Sequence, residues 1–327
     1  KFKIKDERSY NNFWKPIEDV IGKPSSVYLS ADGVYNQINL ESIALEDGSY
    51  ILDNSNIILI SNTKDLYFDK LKTRQVQEAN VAMMFGDPQY YVTSDPGKWT
   101  GTASSDRGAK PEVIGRLPGT EEEIRNVKAL LREGGWVTEE FMELEATEQK
   151  VKDIDNPKIF HIATHGFFQP DVVLNAEDIG LKENLLSENP LLKTGLLLSG
   201  AGDILNKTAS NFNIDDGILT AYEAMNMSLD QTELVVLSAC ETGLGEIEAG
   251  EGVYGLQRAF LVAGARTIIM SLFKVSDEAT QKLMIQFYKN WLETGNKRES
   301  FIQAKKTIRD EFKDPIYWGP FIMIGLD

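Results

Sequence analysis

Two side chains in this sequence carry groups suited to nucleophilic chemistry, and both are expected at the ends of strands. Cys240 is the single cysteine of the 327-residue chain and closes the apolar run Leu234–Leu237 in "VVLSACETGLGE". A free thiol titrates near about 8.5 and is mostly protonated at neutral pH, so a neighbouring base is needed to make it a nucleophile. The two histidines, His161 and His165, both lie in "KIFHIATHGFF". Alternate residues of a strand share a face, which puts His161 beside Ala163 and reads it as a buried, hydrogen-bonded core residue. His165 follows the last apolar residue of the run and precedes Gly166. It is therefore expected at the strand's carboxyl end, where open parallel sheets bind their ligands. If the two strands are neighbours, imidazole and thiol emerge on one edge. The imidazole can then take the thiol proton and later protonate a leaving amine. The N–H groups of Gly166 and Cys240 can hold a developing oxyanion. A cysteine taken alone reads as a small buried hydrophobe, so this reading rests on the two strand ends together. It calls for no metal and no cofactor.

The elements that must position these residues are legible in the patterning. Val27–Leu29, Ile57–Ile60, Val81–Phe85, Ile159–Ala163, Leu234–Leu237, Thr267–Leu272 and Phe321–Ile324 are short runs rich in apolar residues and read as strands. Between them, Thr120 and Glu123 spell a T-x-x-E capping box before Ile124, Val127, Leu130 and Leu131, with Gly134 as the stop. Ser276 heads a second helix with Asp277 and Glu278 in its first turn and Leu283, Met284, Phe287 and Trp291 on its apolar face; Gly295 ends it. Phe301, Ala304, Ile308 and Phe312 mark a third. Continuous apolar strands alternating with helices predict an α/β fold, a mostly parallel sheet covered on both faces. Pro88–Pro118 and Gln169–Asp216 read as long functional or disordered loops.

Gly250-Glu251-Gly252-Val253-Tyr254-Gly255 spells the glycine pattern of dinucleotide sites. That pattern works only directly between strand and helix, whereas here an acidic loop with Glu241, Glu246 and Glu248 intervenes. The glycines instead predict a helix beginning near Gly252. Composition narrows the class further. Apolar content of 42% and charged content of 26% are ordinary for a globular protein, and no apolar run reaches the about 18 residues that cross a membrane. A net charge of −16 argues against direct nucleic-acid binding. One cysteine cannot form an internal disulfide, which predicts a reducing, cytoplasmic setting. The chain opens with Lys1 and not Met, so a longer parent with further domains is expected.

The longer motifs resemble a known family. "HIATHG" followed by "LVVLSACETGLGE" and "GEGVYGLQRAFLVAGARTIIMSLFKVSDEAT" is similar to the CHAT family of caspase-like domains often joined to tetratricopeptide repeats. "VYLSADGVYNQINLESI", "MFGDPQY", "RLPGTEEEI", "EATEQKV", "NPLLKTGLLLSGA", "DDGILTAYEA" and "DPIYWGPFIMIG" extend the resemblance over nearly the whole chain. It implies a caspase-like three-layer α/β sandwich with a mostly parallel central sheet, plus an N-terminal α/β subdomain. The boundaries expected are 1–78 for the N-terminal part and 79–327 for the catalytic core. It also implies a His165/Cys240 dyad and hydrolysis of a protein substrate, held latent until an N-terminal repeat or sensor region, or a partner, activates it. The separation of His165 and Cys240 exceeds the about 50 residues of the caspase pattern, and S-A-C-E-T-G replaces its Q-A-C-x-G. Phe273 stands where the family commonly has tryptophan, a packing change. A protease-dead scaffold or a peptide-binding module are the alternatives.

Substrate preference has a separate signal. Asp87, at another strand's carboxyl end, and Glu241, in a stretch to Glu251 with four glutamates and no lysine or arginine, are the candidate substrate-binding residues. A carboxylate there would pair with Arg or Lys at the cleavage position. The acidic loop after Cys240, rich in glycine, is the expected seat of latency. The dyad assignment makes a direct prediction. Cys240→Ala and His165→Ala each abolish cleavage with the fold intact, whereas His161→Gln lowers unfolding free energy by about 1–3 kcal/mol through a disturbed buried hydrogen bond. Thermal melts beside activity assays separate the two; inactive His161 variants of normal stability, with active His165 variants, would reverse the assignment.

Overall fold

A computed structural model describes residues 8–67, 79–92, 114–168, 190–192, 194–205, 215–238, 246–248, 252–272 and 275–326. The N-terminal part holds α1 (Lys15–Ile21), β1 (Ser26–Leu29), α2 (Ile51–Asn54) and β2 (Asn56–Leu59). Then come β3 (Val81–Pro88), α3 (Pro118–Glu133), β4 (Val137–Glu143), α4 (Glu148–Lys152), β5 (Ile159–Ala163) and β6 (Gly166–Phe168). The middle of the chain forms β7 (Thr194–Leu197), α5 (Ala201–Leu205), β8 (Ile218–Thr220), α6 (Ala221–Ala224) and β9 (Leu234–Ser238). The remainder is β10 (Glu246–Glu248), β11 (Gly252–Tyr254), α7 (Leu256–Val262), β12 (Thr267–Ser271), α8 (Asp277–Thr294), α9 (Lys297–Phe312) and β13 (Phe321–Gly325).

All seven apolar runs are strands of one eight-stranded sheet, ordered β1-β2-β13-β12-β9-β5-β3-β4. Every neighbouring pair is parallel except β12 with β13. β5, β9, β12 and β13 are buried at every position, because helices cover both faces. On one face, Ile159, Ala163, Leu234, Val236 and Met84 pack with Ile124, Val127 and Leu131 of α3, Leu283, Met284 and Phe287 of α8, and Phe301 and Ile308 of α9. On the other, Phe160, Ile162, Val235 and Leu237 pack with Phe260 of α7. Fully burying such a side chain contributes about 1.5–3 kcal/mol. The architecture is the expected caspase-like α/β sandwich. Among the described residues no helix is long and apolar enough to cross a membrane.

The eighth strand, β4, was not legible. "VTEEFME" is an edge strand whose positions are mostly exposed or half-buried, so it lacks the apolar run of the central strands. The segment Gln169–Asp216 is not one loop: β7 and α5 lie within it, and β7 pairs antiparallel with β6 and β8 in a second, three-stranded sheet. Residues 169–189, 193 and 206–214 of that segment, and 93–113 of Pro88–Pro118, lie outside the described residues. The helix expected near Gly252 begins at Leu256, since Gly252–Tyr254 pairs with Glu246–Glu248 as a hairpin.

The capping box is also corrected. Leu117 is the N-cap of α3 and Pro118 its first residue, so Thr120 sits one turn too late to cap. Its hydroxyl donates to the Leu117 carbonyl at 2.7 Å and accepts from the Asp87 N–H at 3.1 Å. Glu123 is not a cap either: it is buried beneath the sheet. At the other helix, Ser276 is the N-cap without a side-chain bond, and the Asp277 carboxylate accepts from Gly119 N–H at 2.8 Å, joining the starts of α3 and α8.

β1 and β2 extend the core sheet through the register pair Leu59 with Ile324. Side chains reinforce that junction. The fully buried Lys305 donates to Glu41 Oε2 at 2.6 Å and to the Phe321 carbonyl at 2.8 Å, and Asn39 donates to the Gly319 and Phe321 carbonyls. At the far end of β13 the backbone of Gly325 has φ +115°, and a Cβ there would lie 2.1 Å from the Arg266 carbonyl oxygen. Gly325→Ala therefore combines left-handed strain with a backbone clash, and is expected to cost about 2–4 kcal/mol in urea melts. Gly48→Ala, at φ +85° with nothing within 4 Å, is expected to cost about 1–2 kcal/mol from strain alone; equal losses at the two positions would refute the clash.

Candidate active site

His165 lies in the short link between β5 and β6, half-buried, just beyond the covered part of the sheet. Its Nε2 is 2.8 Å from the Gly115 carbonyl oxygen. A carbonyl only accepts, so Nε2 carries the hydrogen and, in the neutral ring, Nδ1 holds the lone pair. Tyr90 packs against the imidazole with ring centroids 5.3 Å apart. The backbone below is held by a directed chain. His165 N–H donates to the Tyr90 hydroxyl at 3.4 Å, Tyr90 donates to Thr164 Oγ1 at 2.9 Å, and Thr164 donates to the Leu197 carbonyl. Tyr90 and Thr164 are buried, so these polar groups would be costly without partners.

Gly115 owes its place to its neighbours. Ile114 N–H donates to the Tyr91 hydroxyl at 2.9 Å, and Arg116 reaches Asp87 with Nε at 3.1 Å from Oδ1 and its terminal nitrogen on Oδ2. Arg116 also lies 3.7 Å from Glu143. The bond to Asp87 and the attraction behind it raise the guanidinium pKa above its ordinary value. Asp87 itself sits at φ +44° at the end of β3, with its N–H on Thr120 of α3. One turn of helix, one strand end and the 114–117 link thereby interlock around the acceptor of His165.

Gly166 opens β6, opposite Leu196 of β7. Leu197 N–H donates to the His165 carbonyl at 2.9 Å, which makes His165 and Leu197 a hydrogen-bonded pair. The next pair along, Gly166 with Leu196, is then a non-hydrogen-bonded one, and the Gly166 N–H points away from β7. The strand leading to Cys240, β9, is the immediate parallel neighbour of β5, with Ala163 opposite Ser238. The strands that carry the two candidate residues are therefore adjacent, as the dyad requires. Cys240, Glu241 and the loop to Gly245, with residues 249–251 and Phe273, lie outside the described residues.

Of the remaining expectations, His161 is fully buried, as its strand position predicts. Its Nε2 is 2.7 Å from Glu123 Oε1 and its Nδ1 is 3.1 Å from the Tyr288 hydroxyl. Burial and the nearby Glu123 charge hold Tyr288 well above the ordinary phenol range, so it keeps its proton. Asp87, the candidate substrate carboxylate, is 2% exposed and engaged by Arg116. A basic substrate side chain would have to share or displace that partner. The Gly115 carbonyl and Tyr90 escaped the sequence reading because a backbone acceptor has no residue signature and a tyrosine in "DPQYY" carries no motif. Among the described residues no group of three or more His, Cys, Asp or Glu could hold a metal ion.

Comparison with known proteins bears on this geometry. The profile of a family described as the CHAT domain matches residues 7–326. Tetratricopeptide repeat protein 28 of Mus musculus is 32% identical over 112 residues, and that of Homo sapiens 31%. Each match covers 34% of this chain and 4% of the relative, so the chain spans a small part of the curated relatives it matches. Among solved structures, the Saccharomyces cerevisiae separase–securin complex superimposes with a TM-score of 0.50 at 12% identity, covering 91% of this chain and 15% of that one. The Arg-specific cysteine proteinase gingipain R gives 0.49 at 10% identity, covering 83% and 54%. At such identities the likeness is one of fold.

The Asp87–Arg116 pair yields a prediction of its own. Arg116→Ala strips the counter-charge from a nearly buried carboxylate and is expected to lower unfolding free energy by about 1–3 kcal/mol. Asp87→Asn in the same background is expected to recover part of the loss. A double-mutant cycle by urea denaturation in which the two effects simply add would show that the pair is not a coupled unit.

Proposed function

The chain belongs to the CHAT domain family, and from that premise we propose that it is a cysteine endopeptidase whose nucleophile is Cys240 and whose general base and acid is His165. The observation that carries this reading is the bond from His165 Nε2 to the Gly115 carbonyl, beside the strand that leads to Cys240. That bond leaves Nδ1 as the proton acceptor. In this reading the Cys240 thiol gives its proton to His165 Nδ1, and the thiolate attacks the carbonyl carbon of the scissile peptide. The carbonyl oxygen takes up negative charge, which the N–H groups of Gly166 and Cys240 stabilise. Collapse of the tetrahedral species breaks the C–N bond as imidazolium Nδ1 protonates the departing amine. A water molecule, deprotonated by the same nitrogen, then hydrolyses the thioester and restores the thiol.

The Gly115 carbonyl has a defined part in this scheme. It holds the ring in one tautomer and disperses the charge when imidazolium forms, without itself being able to take a proton. An acidic third residue is not needed for that purpose. The substrate is a protein, and activity is controlled through a tetratricopeptide-repeat or sensor region adjoining the domain, in keeping with the repeat proteins it matches. Such a region would favour the competent arrangement by binding it more tightly.

A peptidyl electrophile that alkylates active-site thiols provides the test. Wild-type protein, with its adjoining repeat region present and activated, is expected to be labelled and to cleave members of a peptide library. Cys240→Ala is expected to do neither, and His165→Ala to lose cleavage by at least about 10³-fold. A folded, activated wild type that neither labels nor cleaves would sink the peptidase reading in favour of an inactive scaffold.

A further inference from the structure

The described core contains a polar arrangement beside the proposed site that the proposed chemistry does not use. Glu123 of α3 is 1% exposed, and its two carboxylate oxygens reach different strands. Oε1 lies 2.7 Å from His161 Nε2 on β5, and Oε2 accepts from Ser238 Oγ on β9 at 2.9 Å. His161, Ser238 and Tyr288 are themselves buried. A carboxylate placed beneath an apolar sheet is expensive to desolvate, and a well-packed apolar residue of similar volume is often as stable or more so. Stability alone is therefore a poor account of its presence.

Its position in the ladder suggests a better one. Among the described residues the β5–β9 register reaches Ala163 opposite Ser238, and the β9–β12 register reaches Leu237 opposite Met270. Ser238 is the last described residue of β9 and lies opposite Ala163 of β5. In the sequence His165 follows Ala163 by two residues and Cys240 follows Ser238 by two. A single rigid group bonded to both strands at this level fixes how far one end lies from the other.

We propose that Glu123 is a positioning residue, clamping the ends of β5 and β9 through His161 and Ser238 and so setting the offset between His165 and Cys240. The inference rests on the cysteine-peptidase reading for what that offset serves. Among the described residues Glu123 bonds to His161 and Ser238, and in this proposal it moves no proton and acts through the two strands. An error of about 1 Å in such an offset can cost on the order of 100-fold in rate.

Ser238→Ala removes the arm to β9 and leaves the His161 arm in place. Because Cys240 is the only cysteine of these 327 residues, alkylation of this chain by iodoacetamide reads that thiol alone, with no need for a substrate, while kcat is read on the activated protein with its adjoining region. Ser238→Ala is expected to raise the pH midpoint of alkylation and to lower kcat about tenfold or more with KM little changed. Ser238→Thr, which keeps the hydroxyl, should restore both. Phe301→Leu, a core change on α9 compared at equal fraction folded from its own thermal melt, should leave both at the wild-type value. Should Ser238→Ala fail to fold, Glu123→Gln keeps the shape and replaces one acceptor oxygen, and the same shifts are expected.

An alkylation profile and kcat in Ser238→Ala that match those of Phe301→Leu at equal fraction folded would overturn the positioning role while leaving the peptidase reading intact. The opposite failure is distinguishable. A shifted alkylation profile in a protein whose wild type cleaves nothing would support the clamp and remove the peptidase.

Discussion

Covering the central sheet on both faces is the constraint from which the rest of this molecule follows. Because β5, β9, β12 and β13 are buried at every position, neither face of these four strands presents a polar group to solvent. Polar side chains inside must find partners, and reactive ones are confined to where the strands end. Both outcomes occur on the same strand. His161 lies within the covered span and is satisfied by Glu123 and Tyr288; His165, beyond it, meets the backbone of a neighbouring link. Two residues of one type, four positions apart, are given different surroundings by the depth of cover above them.

The surroundings of His165 are built mainly from main-chain groups. The carbonyl of Gly115 receives Nε2, the carbonyl of Leu197 terminates the Tyr90–Thr164 chain, and the Leu197 N–H holds the His165 carbonyl. Side chains act one step back, where the Arg116–Asp87 pair and Thr120 keep the 114–117 link against the start of α3. A main-chain acceptor cannot change protonation state, so the tautomer it selects is constant with pH. A carboxylate in its place would add a charge and a second titration to the ring.

The N-terminal segment joins the same sheet, and its attachment is unusually polar for a buried junction. Lys305 is fully buried yet has a carboxylate and a carbonyl as acceptors, and Asn39 donates to two carbonyls at the start of β13. Arg309 adds two bonds to Asp53 at 2.8 Å each. Such contacts fix orientation more than they add stability, because each charge is desolvated in making them. They join α9 and the start of β13 to the N-terminal segment, so β1 and β2 are held to the core by side chains as well as by the sheet edge.

How much of this was legible before folding follows from the range of the forces concerned. Apolar runs of strand length, their alternation with helical stretches and the identity of His165 and Cys240 as chemically capable residues are local properties, and they specified the seven strands, the three long helices and the parallel sheet. His161 was legible for the same reason, since alternation along a strand is local. β4 was not, because an edge strand with one covered side carries no continuous apolar run. Glu123 was misread because the rule for helix starts is also local and took T-x-x-E for a cap, whereas Pro118 had already begun the helix one turn earlier and turned Glu123 under the sheet. The pairing of Arg116 with Asp87, the Gly115 carbonyl on His165 and the bridge from Glu123 to both β5 and β9 join residues distant in sequence. Sequence by itself determined which residues could do chemistry and which strands would carry them; tertiary structure decided which groups hold them, because hydrogen bonds act over about 3 Å and only the packed sheet brings those atoms that close.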